Sequence, residues 1–352
     1  MQVAWITDLH FGARNDHPVF NKHIETFYTE TFFPHLRENG IKDIFMMGDT
    51  FERRKYINFH TLYQCRKYYF DVARDEGINI HIIPGNHDTY FKNTNEVNSP
   101  RLLLNEYENI IQYHHVTDVK VGNSTFCFVP WITKENEDEF VKAIKASTAD
   151  VCLGHFEFTG YKMHRDTINP HGMAPSVVDH FPLVISGHFH HRHSKGNITY
   201  MGNPYEITWS DYGDTRGFAV FDCDTKKMEY VNNPVKIHHK VYYNDTEESQ
   251  HGDPMETDFE SLKNGCVKVY VEKKSDLKKY DKFMDKIDEQ DPIDVKPVED
   301  LSEEFERGDE HIDVEDTMTI LKDYVDEIEI TLNKDEIKNR LQTLHIEALE
   351  IL

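Results

Sequence analysis

Short apolar runs that stop abruptly at an Asp, Asn or His alternate with stretches of helical spacing through the first 240 residues. Residues 2–8 (Gln-Val-Ala-Trp-Ile-Thr-Asp) predict a buried strand, followed by Asp8-Leu9-His10-Phe11-Gly12. In extended backbone, side chains two apart point the same way, so Asp8 and His10 are expected to face one site. From about residue 19 to 39 the apolar positions Phe20, Ile24, Phe27, Phe32 and Leu36 recur at helical spacing, and Asn39-Gly40 supplies a C-terminal cap. Ile44–Met47 forms a second strand with Gly48-Asp49 at its end. A second helix, about 58–76, stops at Gly77 before the strand Asn79–Ile83, which ends in Pro84-Gly85-Asn86-His87-Asp88. This β-α-β-α-β order predicts parallel strands with crossover helices, a fold that binds ligands at strand carboxyl ends. Asp8, Asp49 and Asn86 stand at those ends.

After residues 90–110, read as loop then helix, strands are expected near 118–121, 124–130, 150–154, 182–186, 198–201, 217–222 and 227–231. His155 follows Val151-Cys152-Leu153-Gly154, and His188 and His190 follow Leu183-Val184-Ile185-Ser186-Gly187. The predicted fold class is therefore α/β (α+β): two sheets packed face to face with helices outside. Residues 244–261 are polar and turn-rich, and 266–298 read as a small β-α-β unit of strand Cys266–Glu272, a lysine-rich helix of about 275–290 and strand Ile293–Val298. Residues 299–316 are strongly acidic. Two amphipathic helices, about 314–331 and 334–350, close the chain, the second opened by a capping box of Asn333 and Glu336. The domains are placed at 1–243, 262–298 (a cap), 299–313 (an acidic linker) and 314–352 (a helical region).

Charge changes this picture in one respect. The net charge is -24, but residues 251–352 hold 30 acidic and 14 basic side chains, against 33 and 25 in residues 1–250. No pervasive basic surface exists, so any nucleic-acid contact must rest on local clusters, metal or a partner. Nineteen of the 22 histidines lie in residues 1–250, a large pool of metal ligands. The five cysteines are widely spaced without a CxxC pair, which argues against a zinc ribbon or disulfide scaffold and fits a reducing cytoplasm. With no leader-like start and no apolar run near the ~20 residues a span requires, a soluble cytoplasmic protein without a membrane association is expected.

Asp8, His10, Asp49, Asn86, His155, His188 and His190 offer carboxylate, amide-oxygen and imidazole donors, a set for hard divalent ions. Two ions, Mn²⁺ before Mg²⁺, are expected. A pair about 3.5–4 Å apart needs a shared carboxylate and suits phosphoester cleavage. Asp49, alone at its strand end, is the natural bridge. His87 is assigned to the substrate, because its neighbour Asn86 faces the ions; there it steadies the phosphate or protonates the leaving oxygen. Asp88 is expected to orient an imidazole. Arg53-Arg54-Lys55 and Arg66-Lys67 either contact phosphates or form solvated helix faces. His191 and His193, beside Arg192, are read as loop residues, and His114-His115 and His238-His239 as surface pairs.

The order D-x-H, GD, GNHD, GH, GHxH resembles the calcineurin-like metallophosphoesterases. Within them, Asp8-Leu9-His10-Phe11-Gly12, the run Tyr200-Met201-Gly202-Asn203-Pro204 with Arg216-Gly217-Phe218, and the layout of cap and terminal helices are similar to the SbcD-type DNA double-strand-break repair nucleases. The motif resemblance covers roughly residues 1–235; the cap and tail match in layout alone. It implies a first metal on Asp8, His10, Asp49 and His190, a second on Asp49, Asn86, His155 and His188, and His87 as the catalytic histidine. It further implies exonuclease and endonuclease cleavage at double-stranded DNA ends, a DNA-recognising cap, a homodimer, and an SbcC-like ATPase of the structural-maintenance type that accepts residues 314–352. The location implied is the cytoplasm, a host's if the chain is phage-encoded. One departure is Glu52, where many members carry His or Asp. Gly48-Asp49-Thr50-Phe51-Glu52-Arg53 superficially resembles the GDxxDR segment of protein Ser/Thr phosphatases, yet those carry GNHE rather than GNHD. The competing readings are a protein phosphatase or cyclic-nucleotide phosphodiesterase, and a scaffold for the ATPase, which the intact ligand positions disfavour.

Overall fold

The computed structural model of the chain describes residues 1–163, 167–247 and 249–299, with 334, 340 and 341. The chain divides into two units, Met1–Glu299 and Asp300–Leu352. The acidic linker and both terminal helices read from the sequence lie in the second unit, outside the described residues but for those three positions.

Strands β1 (Gln2–Ile6), β2 (Asp43–Met47), β3 (Asn79–Ile83) and β4 (Ile110–Gln112) run parallel. A second sheet follows from β5 (Thr117–Val121), β6 (Ser124–Val129), β7 (Val151–Gly154), β8 (Leu183–Ser186), β9 (His193–Lys195) and β10 (Ile198–Tyr200), in the order β5-β6-β7-β8-β10-β9. The chain then returns to the first sheet as β11 (Gly217–Asp222) and β12 (Lys227–Asn232), giving β12-β11-β1-β2-β3-β4.

Period-two alternation explains why both faces of these strands are apolar. Val3, Trp5, Phe45, Met47 and Ile83 meet Phe126, Phe128, Val151, Leu153 and Ile185 between the sheets. Their sequence neighbours Ala4, Ile6, Ile44, Met46, Ile80 and Ile82 pack under helices on the outer face of the first sheet. Cys127, Val129, Cys152 and Val184 do the same on the second, beneath Phe140 and Ile144. The five cysteines are buried and free. No described helix is long and apolar enough to cross a membrane.

The helices expected at 19–39 and 58–76 are each broken by a π-turn. Pro18–Phe27 and Phe33–Glu38 flank Tyr28–Phe32; Phe59–Cys65 and Asp71–Asp75 flank Arg66–Phe70. A π-turn inserts one residue and lets consecutive aromatics face inward, which a 3.6 period forbids. Phe27, Tyr28, Phe32 and Phe33 are thereby buried with Tyr68, Tyr69 and Phe70, and the Tyr28 and Tyr69 rings meet edge to face at 4.6 Å. Between residues 90 and 110 the helix is short, Ser99–Leu103, and turns lead from it to β4.

A third sheet is wholly parallel: β13 (His238–Asn244), β14 (Cys266–Lys273) and β15 (Asp294–Val298). The helix Leu277–Asp288, capped by the Asp276 side chain, covers one face with Phe283 and Ile287 against Val241, Val267 and Val269. This sheet begins earlier than the cap placed at 262–298. The mixed run His238-His239-Lys240 disguised β13, whose inward residues are Val241 and Tyr243. His238 is accordingly buried, not at the surface. The Glu206 carboxylate accepts the backbone N–H groups of Ile237 at 3.1 Å and His238 at 3.0 Å, and lies 3.3 Å from the His238 ring. The Lys268 ammonium sits over Trp209 at 4.5 Å, so charge and aromatic faces join the third sheet to the loop after β10.

Candidate metal centre

All seven expected ligands come together at the carboxyl ends of β1, β2, β3, β7 and β8. The chain does not stay extended there. Asp8 (φ 55), His10 (φ 44), Asp49 (φ 52) and His188 (φ 85) adopt left-handed backbone, so Asp8 and His10 converge through a turn rather than through strand alternation. Hydrogen bonds lace the two turns together: Asp8 N donates to Gly48 O at 3.1 Å, His10 N to Asp49 O at 3.0 Å and Phe11 N to Thr50 O at 3.0 Å. Close approach demands glycine at two points. A Cβ on Gly85 would overlap the Asp49 carboxylate, and one on Gly187 would overlap Thr7 and crowd His155.

Two donor groups result. In the first, Asp8, His10 and His190 place ligand atoms within 4.8 Å of one another, with the two imidazole Nε2 atoms 3.0 Å apart. In the second, Asp49, His155 and His188 do so, and the Asn86 Oδ1 lies 3.0 Å from His155 Nε2 and 3.0 Å from His188 Nδ1. Asp49 Oδ2 stands 3.2 Å from His155 and 3.7 Å from His10, between the groups. At 3.0 Å the two facing imidazole nitrogens either share a proton in an N–H···N hydrogen bond or turn both lone pairs to a common metal ion. The donor set therefore fits divalent ions.

Electrostatics agree. Burial works against the imidazolium of His10, yet Glu52, Asp49 and Asp8 push it up to about 10. Burial likewise opposes His155, which Asp49 and Asp8 push up to about 9. Burial and the cation at His155 pull His188 down to about 3, leaving it a neutral donor. Burial would raise Asp49, but His155, His87 and His10 hold it well below the usual carboxylate range. The site concentrates negative charge and balances it with cations.

Hydrogen bonds fix the rings. His155 donates from Nδ1 to the Met47 carbonyl at 2.8 Å, which leaves Nε2 for a ligand. The His188 backbone N–H donates to the Asp8 carboxylate at 3.0 Å. Glu52 Oε2 lies 2.7 Å from His10 Nδ1. His87 is closer to the donors than its position after Asn86 suggests: it forms a third group within 4.8 Å with His10 and Asp49. Its Nδ1 donates to the Glu52 carbonyl at 2.6 Å, so Nε2 is the nitrogen left to give or take a proton. The indole of Trp131, absent from the expected site, flanks His188 at 5.3 Å and His155 at 5.8 Å.

Asp88 does not orient an imidazole. Its carboxylate accepts the backbone N–H groups of Thr50 at 3.1 Å, Phe51 at 3.3 Å and Gly85 at 2.9 Å, and the Ser99 hydroxyl at 3.0 Å. It holds the turns after β2 and β3 against each other. Burial and Asp49 push it up to about 6, against the downward pull of those N–H groups. Arg54 is likewise internal, donating to the carbonyls of Asn86 at 2.9 Å and Thr89 at 3.1 Å; Arg53 pairs with Asp16. Arg66 donates to the Leu103 carbonyl at 2.7 Å. His191 pairs with Asp214 at 2.7 Å, and neither it nor His193 joins a donor group among the described residues. No short motif announces these braces, because each depends on backbone brought close only by the fold.

The family model for the calcineurin-like phosphoesterases matches residues 1–192. Exonuclease subunit 1 of Enterobacteria phage T4 is 28% identical over 356 residues, spanning 99% of this chain and 100% of that protein. Phosphoesterase 244L of Invertebrate iridescent virus 6 is 30% identical over 165 residues, 43% of this chain and 54% of its own. A solved archaeal phosphodiesterase superposes with a TM-score of 0.34 at 13% identity, covering 66% of this chain and 99% of that one.

Proposed function

Because the chain belongs to the calcineurin-like phosphoesterases, we propose that it is a metal-dependent DNA nuclease, the catalytic subunit of an SbcCD-like complex that cuts duplex DNA ends in recombination and repair. The observation carrying this reading is the convergence of seven donors in two groups that share Asp49, in a chain aligned along its whole length with a phage exonuclease subunit.

Asp8, His10, Asp49 and His190 would hold one ion and Asp49, Asn86, His155 and His188 the other, with Mn²⁺ preferred to Mg²⁺. Such a pair supplies the nucleophile at neutral pH and neutralises charge on phosphate oxygens. The chain's own residues do the rest. Asp49, anchored by the His87 N–H at 2.8 Å, keeps the two donor groups in register. His87, with Nδ1 tied to a carbonyl, presents Nε2 to the phosphate or to the departing oxygen.

Residues 262–298, whose sheet β13 completes, form the DNA-recognising cap, and residues 314–352 dock on the ATPase. A homodimer contact is supported by Phe59 and Tyr63, one turn apart on the same helix face and 86% and 63% exposed. The protein works in the cytoplasm, that of a host cell if it is viral.

The test is cleavage of linear duplex DNA with Mn²⁺, expected to stop on adding a chelator. A protein that hydrolyses phosphopeptides or cyclic nucleotides but leaves DNA intact would overturn the nuclease reading.

A further inference from the structure

We propose that Glu52 is a positioning residue that fixes two imidazoles at once, His10 through its carboxylate and His87 through its carbonyl. This rests on the two-metal reading above. The residue is itself held in place: its N–H donates to Phe11 O at 3.1 Å, and Phe11 and Phe51 form a parallel bridge beside it. From that position Oε2 reaches His10 Nδ1 at 2.7 Å, and the main-chain oxygen accepts from His87 Nδ1 at 2.6 Å. The two rings stand edge to face with centroids 4.9 Å apart and planes at 84°.

The consequences follow from imidazole chemistry. A carboxylate on Nδ1 keeps the proton there, leaves the Nε2 lone pair for a ligand and makes that lone pair more basic. His10 Nε2 is the atom 3.0 Å from His190 Nε2, so the orientation set by Glu52 closes the first donor group. The carbonyl does for His87 what the carboxylate does for His10. One residue thereby sets the tautomer of a ligand and of the proton-transfer group, and movement of either ring is felt by the other. The carboxylate is part-exposed, with 27% of the side chain open.

Calorimetric titration of the full chain with Mn²⁺ tests this, comparing wild type with Glu52→Ala and Glu52→Gln. Two ions should bind to wild type. Glu52→Ala should weaken one of them about 10–100-fold and leave the other within about twofold. Glu52→Gln, which keeps an oxygen beside His10 Nδ1, should recover most of that loss. Melting in chelator should differ little among the three, which separates orientation from folding. Equal Mn²⁺ affinities in wild type and Glu52→Ala would sink the proposal alone, as would a Gln variant no better than Ala. A wild-type chain that takes up no Mn²⁺ would sink the two-metal reading and this proposal with it.

Discussion

The backbone N–H of His87 donates to Asp49 Oδ1 at 2.8 Å, while Asp49 Oδ2 lies 3.2 Å from His155 Nε2. One oxygen of the shared carboxylate is committed to a turn and the other to the donors. The contact from His87 is made by its main chain, so the side chain can change without releasing Asp49.

Replacing His87 with Asn should therefore keep both Mn²⁺ ions and lower turnover by about 10²–10⁴-fold, the usual contribution of a general acid or base. Calorimetry and single-turnover cleavage check the two halves. Loss of an ion in H87N would make His87 a ligand, which its grouping with His10 and Asp49 would accommodate.

Asp88→Ala removes the acceptor for three backbone N–H groups and the Ser99 hydroxyl. Unpaired buried donors cost about 1–3 kcal/mol each, so a loss of about 4 kcal/mol or more is expected in denaturant unfolding. Asp88→Asn should cost less, because an amide oxygen still accepts some of these bonds. A change under about 1 kcal/mol in D88A would show that the turns hold without it.

His23 gives a pH dependence away from the metal site. Burial and the neighbouring His238, His239 and Lys236 pull its imidazole down to about 4, against the opposing pull of Glu206. The folded state thus binds the proton less readily than the unfolded chain. Above the unfolded value of 6.5 the ring is neutral in both states and costs nothing. As pH falls from 6.5 to about 4 it destabilises the fold by about 3 kcal/mol in all. His23→Gln should flatten this part of the profile in thermal melts from pH 7 to pH 4. Parallel profiles for the two proteins would contradict the assignment.

Deleting residues 314–352 should spare Mn²⁺-dependent cleavage and abolish co-purification with the ATPase partner. Undiminished co-purification would move the docking surface into residues 1–313.

The seven donors that the structure brings together were legible because each stands in a short segment whose strand run and polar end are contiguous in the chain. What escaped was set by distant contact. The role of Glu52 depends on His10, 42 positions earlier, which the fold sets against its carboxylate. Asp88 sits beside Asn86 and His87 and read as an aid to an imidazole, yet it answers backbone amides from the turn after β2. His238 looked like a surface residue because nothing local reveals that Glu206 lies over it. The π-turns were hidden because the aromatic runs preserve helical spacing on average and break it only where Tyr28 and Tyr69 meet.

The left-handed backbone at Asp8, His10, Asp49 and His188 has a consequence for any attempt to harden this protein. Each such residue costs roughly 1–2 kcal/mol that a glycine would recover. Glycine at Asp8 or Asp49 would orphan the N–H of His188 or His87, so a library screened for heat resistance alone would be rewarded at His10 and His188, two of the seven donor positions. Thermal robustness and catalysis are thus opposed at these positions, and a breeding scheme for this enzyme has to select on both.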